Sequence, residues 1–252
     1  MTTYNFEFWK TFYKIRYYPF ITEEQTLNEI KFIKDFLPIK KYINILDFIC
    51  GFGRHSIELT KNNYHVEGFD MDRGSILNAK KVIRILKLKN IHFYTKDAFK
   101  FKKGDFFDAV ICLYSSMGFL DERSNEVIFK NLFQSVKKGG RIILDVMNPE
   151  WAIKYLKSYS EKEIIYKGKS YFVKHQRTIL HNPIIEKNAI EFLDQKRFLK
   201  YKSFYTLRLY FLKELENKFL ENNFKIYKTF GSFNKDVVSE NYQRIIFIAD
   251  KI

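Results

Sequence analysis

The stretch Asn44–Asp72 of this 252-residue chain reads NILDFICGFGRHSIELTKNNYHVEGFDMD and predicts a strand, a glycine turn, a helix and a second strand. The apolar residues Ile45, Leu46, Phe48 and Ile49 near its start are typical of a strand that is buried on both faces. Gly51 and Gly53 follow, and glycine lets the backbone turn tightly into a helix. The second strand delivers Asp70 to its carboxyl end, where a carboxylate accepts hydrogen bonds from ribose hydroxyls. The stretch therefore predicts a nucleotide-binding site.

Two classes of cofactor use this strand, turn and helix. The dinucleotide fingerprint has a third glycine where this chain has Ser56, so NAD fits poorly. Asp47, followed by Cys50-Gly51-Phe52-Gly53, instead resembles the first motif of class I S-adenosylmethionine-dependent methyltransferases, and within them the small-molecule methyltransferase-domain type. Ile49 departs from that motif, because many members of the family have another glycine at its position.

The resemblance continues in the family's order along the chain. A predicted third strand, Ile91–Thr95, leads to Lys96-Asp97-Ala98, which is similar to the family's contact with the adenine amino group. Two more strands, a last helix and a closing pair of strands are predicted within 107–114, 141–148, 208–231 and 243–250. The resemblance thus covers most of the chain except residues 151–205.

The resemblance implies S-adenosylmethionine as the cofactor and a binding site at the carboxyl ends of the strands. It implies that Asp70 binds the ribose hydroxyls and that Asp97 binds the adenine amino group. The other implied cofactor contacts are Tyr18, Asp47, Cys50, Gly51, Gly53, Met71, Ala98 and Leu113. The sequence has no cluster of carboxylates and histidines that suggests a metal site, so we expect no metal.

The middle of the chain breaks the alternation of strands and helices. Segments 163–166, 171–180, 184–193 and 201–209 have strand character and little helical periodicity. We therefore predict an α/β fold: a Rossmann-like, doubly wound, mostly parallel sheet with an inserted antiparallel β lid over its carboxyl ends, where such sheets bind ligands. The predicted divisions are an N-terminal helical and aromatic cap, the cofactor-binding core, the lid and a C-terminal completion of the core, at 1–40, 41–150, 151–207 and 208–252.

The expected chemistry follows from the cofactor. Methyl transfer from a sulfonium is an in-line displacement that needs alignment of the reacting atoms and exclusion of water. A hydroxyl acceptor needs a general base, whereas an amine needs only to be neutral. The candidate catalytic residues are His175 on the predicted lid, Tyr114 after the fourth strand and His55 after the glycine turn. The alternatives are structural: a half-buried sheet histidine for His175, and a helix start or a cofactor contact for His55.

The formal net charge of +15 indicates an anionic partner, although heavy use of Lys, Asn, Ile, Phe and Tyr also fits a codon bias toward A and T. Basic residues cluster in the predicted lid, at Lys196-Arg197, Lys200 and Lys202. We predict methyl transfer to oxygen or nitrogen of a small anionic or sugar-like metabolite, such as a nucleotide-linked or surface-glycan sugar. Two alternatives stay open: an RNA methyltransferase that binds phosphates with its lid, and a catalytically silent cofactor-binding module that regulates a partner.

The sequence also bears on the compartment. It has no apolar run long enough to cross a bilayer, and its first residues, MTTYNFEFWK, are too polar and aromatic for a secretory signal. Cys50 and Cys112 fall in predicted strand or turn positions and do not suggest a disulfide. We expect a cytoplasmic protein without membrane insertion, either a monomer or a homodimer.

Overall fold

The computed structural model describes residues 21–166 and 168–252. Within these ranges, seven strands form a mostly parallel sheet and four strands form a separate antiparallel sheet. The predicted fold class, a Rossmann-like α/β sheet with an inserted antiparallel sheet, is confirmed. Tyr18, a predicted cofactor contact, lies outside the described residues with much of the predicted N-terminal cap.

The central sheet contains β1 (Asn44–Phe48), β2 (His65–Asp70), β3 (Ile91–Thr95), β4 (Phe107–Cys112), β5 (Val136–Met147), β10 (Phe224–Phe230) and β11 (Arg244–Lys251). The inserted sheet contains β6 (Tyr159–Tyr166), β7 (Lys169–Leu180), β8 (Ile185–Leu193) and β9 (Leu199–Arg208). The helices are α1 (Glu23–Phe36), α2 (Arg54–Lys61), α3 (Arg73–Ile85), α4 (Glu122–Gln134), α5 (Pro149–Tyr155) and α6 (Leu212–Glu221).

The strand order in the central sheet is β10-β11-β5-β4-β1-β2-β3. The strands β1 to β5 are parallel to one another, whereas β11 is antiparallel to both β5 and β10. From β1 the chain first adds β2 and β3 on one side, and it then returns to add β4 and β5 on the other. The strand order therefore reverses between β1 and β4, and open α/β sheets bind ligands at such a point.

Apolar side chains on both faces of this sheet form the core. All six residues of β4, FDAVIC, are buried, as expected for a parallel strand covered by helices on both sides. On one face Phe48 and Val110 pack with residues of α4 and α6. On the other face Ile45 and Ile111 pack with residues of α1, α2 and α3. Burial of both faces holds the strand ends, and thus the site described below, in fixed positions.

The end of β4 differs from the prediction. The predicted strand runs to residue 114, but β4 ends at Cys112. Tyr114 has a φ of 61°, and its backbone N–H donates to the side-chain carboxylate of Asp145 on β5 at 2.8 Å instead of to a backbone carbonyl of that strand. The backbone therefore leaves the sheet before Tyr114, and this turn sets the position of the Tyr114 side chain.

The inserted sheet is joined to the core at the loop after β4. Its strands follow the order β6-β7-β8-β9, each antiparallel to the next. At the end of β9, the backbone N–H of Arg208 donates to the carbonyl of Gly118 at 2.8 Å. Gly118 has a φ of 101°, and a Cβ there would lie 2.3 Å from the carbonyl oxygen of Arg208. Only glycine permits this approach of the two backbones.

Candidate active site

A cavity lies at the carboxyl ends of β1, β2, β3 and β4. Eight of the predicted cofactor contacts line it, namely Asp47, Cys50, Gly51, Asp70, Met71, Asp97, Ala98 and Leu113. Gly53 is not among the lining residues. It precedes α2 with a φ of 75°, and a Cβ there would lie 2.4 Å from the ring of Phe93. Gly53 therefore shapes the turn while its neighbours form the wall. We call this space the cofactor cavity.

Asp70 ties the glycine turn to the end of β2. Its carboxylate accepts hydrogen bonds from the backbone N–H groups of Gly51 and Asp72, each at 2.9 Å. Burial raises the pKa of Asp70 to about 6, even though these two N–H groups favour the charged form. The residue thus presents a fixed, buried carboxylate to the cofactor cavity.

Asp47 and Ile49 explain two features of the glycine motif. Asp47 is buried and accepts a hydrogen bond from the Ser56 hydroxyl at 2.5 Å. Burial raises its pKa to about 6 despite that bond. Ile49 has a φ of 60°, a conformation that glycine adopts without strain and that a β-branched residue rarely adopts. Ile49 therefore departs from the family motif in its side chain, but its backbone has the conformation for which glycine is suited.

The lining of the cofactor cavity fits S-adenosylmethionine. Asp70 and Asp97 offer acceptors at the ends of adjacent strands, and the apolar side chains of Met71 and Leu113 offer contacts to a flat ring. The Nη2 atom of Arg54 is also buried in this wall and has no hydrogen-bond partner among the described residues. A buried donor without an acceptor is costly, so its presence is consistent with a ligand that supplies one.

Glu29, on α1, contacts several polar side chains at one end of the cofactor cavity. Its carboxylate contacts Arg54 Nη1 at 2.5 Å and His55 Nε2 at 2.8 Å, and it accepts a hydrogen bond from the Tyr114 hydroxyl. Burial alone would raise the pKa of Glu29, but the hydrogen bond and charge of His55 and the charge of Arg54 outweigh it and lower the pKa to about 2. Glu29 is therefore an anion at neutral pH.

The protonation states of His55 and Tyr114 depend on burial and on the charges of the residues around Glu29. Burial and the charge of Arg54 lower the pKa of His55 to about 4, so its ring is neutral at pH 7. Burial raises the pKa of Tyr114 well above its usual value. The Tyr114 ring lies between two guanidinium groups, 4.5 Å from Arg54 and 4.4 Å from Arg244. Tyr114 therefore keeps its proton.

A second cavity, of about 660 Å³, lies between the core and the inserted sheet. It shares Tyr114 and Phe119 with the cofactor cavity, so the two spaces adjoin. His175, a predicted catalytic residue, lines this second cavity, as do Arg177 and Glu186. We call it the acceptor cavity.

Both ring nitrogens of His175 have partners. Arg177 donates to Nδ1, and because a guanidinium has only donors, Nδ1 must accept. The Nε2 atom then carries the proton and donates to the side-chain oxygen of Asn188. Arg177 also lies 3.3 Å from the carboxylate of Glu186. His175 thus belongs to a connected polar wall of the acceptor cavity.

Three of the four clustered basic residues that suggested a polyanion have carboxylate partners. Arg197 pairs with Glu161, and on β9 two lysines pair with carboxylates of neighbouring segments, Lys200 with Asp194 and Lys202 with Glu191. Within the described residues, no group of three or more histidine, cysteine, aspartate or glutamate side chains is placed to hold a metal ion. None of the helices in the described ranges is long and apolar enough to cross a membrane.

The sequence predicted catalytic roles for His55, Tyr114 and His175, but it did not predict the residues that hold their side chains. Glu29 carries a signal in the sequence, because it is a charged residue among the buried positions Thr26, Ile30 and Ile33 of α1. Other partners come from distant parts of the chain. The missed residues are Glu29, Arg54, Arg177, Glu186, Asn188 and Arg244.

The comparisons with known proteins agree with this geometry. A family model described as a methyltransferase domain matches residues 39–230. The putative methyltransferase YqeM of Bacillus subtilis (strain 168) is 23% identical over 228 residues, which cover 88% of each chain.

Many solved structures share the fold, among them the following two. An S-adenosylmethionine-dependent methyltransferase from Clostridium acetobutylicum ATCC 824 matches with a TM-score of 0.78 and 16% identity, covering 97% of this chain and 98% of that chain. The sugar N-methyltransferase KedS8 from Streptoalloteichus sp ATCC 53650 matches with a TM-score of 0.70 and 15% identity, covering 97% and 93%. The predicted family, enzyme class and cofactor are confirmed. The match to the family model spans more than half of this chain. The chain therefore belongs to the methyltransferase-domain family and is an S-adenosylmethionine-dependent methyltransferase.

Proposed function

We propose that this enzyme methylates a nitrogen atom of a small, sugar-like metabolite bound in the acceptor cavity. The observation that carries the proposal is that cavity. Its volume of about 660 Å³ suits a small molecule, since ligand sites in proteins measure roughly 300 to 1,000 Å³. The cofactor supplies an electrophilic methyl group, and the acceptor cavity adjoins the cofactor cavity at Tyr114 and Phe119. A metabolite held there lies in the path of methyl transfer.

The wall of the acceptor cavity suits hydroxyl groups. Arg177 offers hydrogen-bond donors, Glu186 offers acceptors, and Tyr205 adds an aromatic face. A sugar hydroxyl both donates and accepts, so it can use the two kinds of partner together. The charges on this wall are paired, Arg177 with Glu186 and Arg244 with Asp145. This pairing favours an uncharged sugar ring over an anionic group at this depth.

A nitrogen acceptor fits the three candidate catalytic residues better than a hydroxyl. His175 has both ring nitrogens engaged, Tyr114 keeps its proton, and His55, with a pKa of about 4, is a weak base at pH 7. A general base works best with a pKa near the operating pH, but a neutral amine needs none. The likeness in fold to a sugar N-methyltransferase supports the same choice. We propose that Tyr114 and His55 shape the transfer site and that His175 orients the acceptor through Arg177.

RNA is the less favoured acceptor. The RNA hypothesis rests on the basic residues of the inserted sheet, and Arg197, Lys200 and Lys202 each pair with a carboxylate. Neutralising phosphates would require breaking these pairs. Binding to a polyanion also weakens steeply with salt, so the two hypotheses differ in a measurable way.

The test is a methyl-transfer assay with labelled S-adenosylmethionine. The acceptors are nucleotide-linked amino sugars, the same sugars with a hydroxyl in place of the amine, and total RNA. We expect label in an amino sugar, with little change between low and moderate salt. Label at a defined nucleotide of RNA would favour the RNA hypothesis. Binding of cofactor without transfer to any acceptor class would favour the silent cofactor-binding module.

A matched pair of variants on β8 tests the acceptor cavity itself. Glu186 is buried in its wall, whereas Glu191 is partly exposed and pairs with Lys202. We expect Glu186→Gln to lower kcat/KM for the amino sugar about tenfold or more, the scale of a lost charge-assisted hydrogen bond. Glu191→Gln should leave kcat/KM unchanged. Equal effects of the two substitutions would contradict an acceptor site at this wall.

A further inference from the structure

The helix α3 and the turn that follows it carry positive charges only. Residues 73–96 contain seven lysines and arginines and no aspartate or glutamate. A codon bias raises lysine along the whole chain, so it does not account for this local absence of acidic residues. Six of the cations are exposed and precede β3, namely Arg73, Lys80, Lys81, Arg84, Lys87 and Lys89.

None of these six cations forms an ion pair within the residues that the structure describes. On the inserted sheet, by contrast, Arg197, Lys200 and Lys202 each pair with a carboxylate. A concentration of positive charge that is available to an anionic partner therefore lies on α3 and the turn after it.

The exposed side of α3 also carries apolar side chains. Residues three and four positions apart share one side of a helix, and at these spacings the exposed side contains Arg73, Leu77, Lys80, Lys81 and Arg84. Leu77 is 56% exposed, and Ile85, one turn beyond Lys81, is 68% exposed. The opposite side of the helix packs Ile76 and Ala79 into the core. We call the six cations with Leu77 and Ile85 the basic face.

The charges of the basic face do not serve the helix itself. Arg73 is the first residue of α3, where a positive charge opposes the helix dipole. Lys80 and Arg84 are four residues apart, and like charges at this spacing destabilise a helix. Such conflicts with folding are expected where a surface has a function. No residue of the basic face lines the cofactor cavity or the acceptor cavity.

We propose that the basic face docks on the surface of a membrane that contains anionic phospholipids. The lipid headgroups neutralise the six cations, and the boundary between headgroups and acyl chains takes up Leu77 and Ile85. RNA would neutralise the cations too, but RNA-binding surfaces stack bases on aromatic side chains and gain nothing from exposed aliphatic ones. The contact is peripheral, because the other side of α3 stays packed on the core. The proposal does not depend on which acceptor the enzyme methylates.

The test is co-sedimentation of the full chain with lipid vesicles. One set contains phosphatidylglycerol and phosphatidylcholine in equal parts, and the other contains phosphatidylcholine alone. We expect binding to the first set only, and we expect it to weaken as salt rises, because salt screens exposed charges. Lys80→Gln together with Lys81→Gln should lower the binding constant for the anionic vesicles about tenfold or more, since each cation near an anionic surface strengthens binding.

The matched control is Lys225→Gln together with Lys228→Gln. These two lysines are also exposed, and they lie on β10, at the edge of the central sheet opposite to β3. The control removes the same net charge but should leave vesicle binding unchanged. Equal losses in the two double variants would mean that net charge alone drives binding, and they would overturn the proposal. Failure of the parent protein to bind the anionic vesicles would overturn it as well.

Leu77→Gln together with Ile85→Gln separates a membrane from RNA. Both positions are exposed and glutamine is a good helix former, so we expect the fold to persist, as circular dichroism would show. Binding to the anionic vesicles should fall several-fold although every cation remains. Unchanged vesicle binding in this variant would overturn the proposal. Binding of the parent protein to total RNA that is tighter than its vesicle binding and depends on Lys80 and Lys81 would identify the basic face as an RNA-binding surface instead.

Discussion

At the scale of single residues, Asp70 links burial to cofactor recognition. Its carboxylate is 2% exposed and is held by the backbone N–H groups of Gly51 and Asp72. Burial makes ionisation costly and raises the pKa to about 6, close to physiological pH. We propose that the ribose hydroxyls of the cofactor donate to the ionised form of Asp70, so that cofactor binding favours loss of the proton and depends on pH.

We predict that affinity for S-adenosylhomocysteine falls about tenfold between pH 7.5 and pH 5, because roughly a tenth of a group with a pKa of 6 is ionised at pH 5. The sign follows from the ionised form being the one that accepts: affinity is full above the pKa and is lost as pH falls through it. Calorimetry across this range measures the effect. Asp70→Asn should bind more weakly at pH 7.5 and flatten the profile. If Asp70→Asn keeps the pH dependence of affinity, the titrating group is Asp47, whose pKa is also about 6.

At the scale of secondary-structure elements, α1 is fixed to the core by one buried carboxylate. Glu29 contacts Arg54 and His55 on α2, and its pKa is lowered from 4.5 to about 2. A carboxylate with a lowered pKa in the folded state stabilises the fold fully above its ordinary pKa, and that stabilisation is lost as pH falls toward 2. The attachment of α1 should therefore be insensitive to pH near neutrality.

We predict that Glu29→Gln lowers the free energy of unfolding by about 3 kcal/mol at pH 7, since it leaves the charge of Arg54 buried without a carboxylate. The control is Asp35→Asn on the same helix, because Asp35 pairs with Lys235 on the exposed surface. Exposed pairs contribute about 1 kcal/mol or less. Urea denaturation followed by circular dichroism measures both. The difference between parent and Glu29→Gln should stay constant down to about pH 4.5 and shrink below it. A similar small loss in both variants would refute the anchoring role.

The elements themselves were largely predictable from the sequence. The range of β3, Ile91–Thr95, matches the prediction residue by residue, because the apolar pattern of the sequence reports local structure. Asp70 and Asp97, the predicted contacts to ribose and adenine, both line the cofactor cavity, because Asp70 ends β2 and Asp97 lies two residues after β3. By contrast, the pair of Arg244 and Asp145 joins residues 99 positions apart and depends on the register of β11 against β5, which no local pattern encodes.

At the scale of the whole molecule, the inserted sheet and the cofactor site share one loop. The segment that follows β4 contributes Gly118 to the cofactor cavity and Phe119 to both cavities. The same Gly118 accepts the backbone hydrogen bond from Arg208 at the end of β9. Movement of the inserted sheet against the core would therefore shift the walls of both cavities.

Gly118→Ala tests this junction, with Gly168→Ala in the turn between β6 and β7 as its control. Both glycines have positive φ, so alanine costs roughly 1 to 2 kcal/mol in backbone strain at either position. Of these two glycines, only Gly118 would bring the added Cβ close to another backbone, at 2.3 Å from the Arg208 carbonyl oxygen, whereas nothing lies within 4 Å at Gly168.

We predict that Gly118→Ala lowers the free energy of unfolding by at least about 2 kcal/mol more than Gly168→Ala, measured by urea denaturation, because the Arg208 backbone must move and its hydrogen bond is lost. KM for the acceptor should rise in Gly118→Ala alone. Equal losses of stability in the two variants would place the whole cost in backbone strain and would mean that the inserted sheet is free to move against the loop after β4.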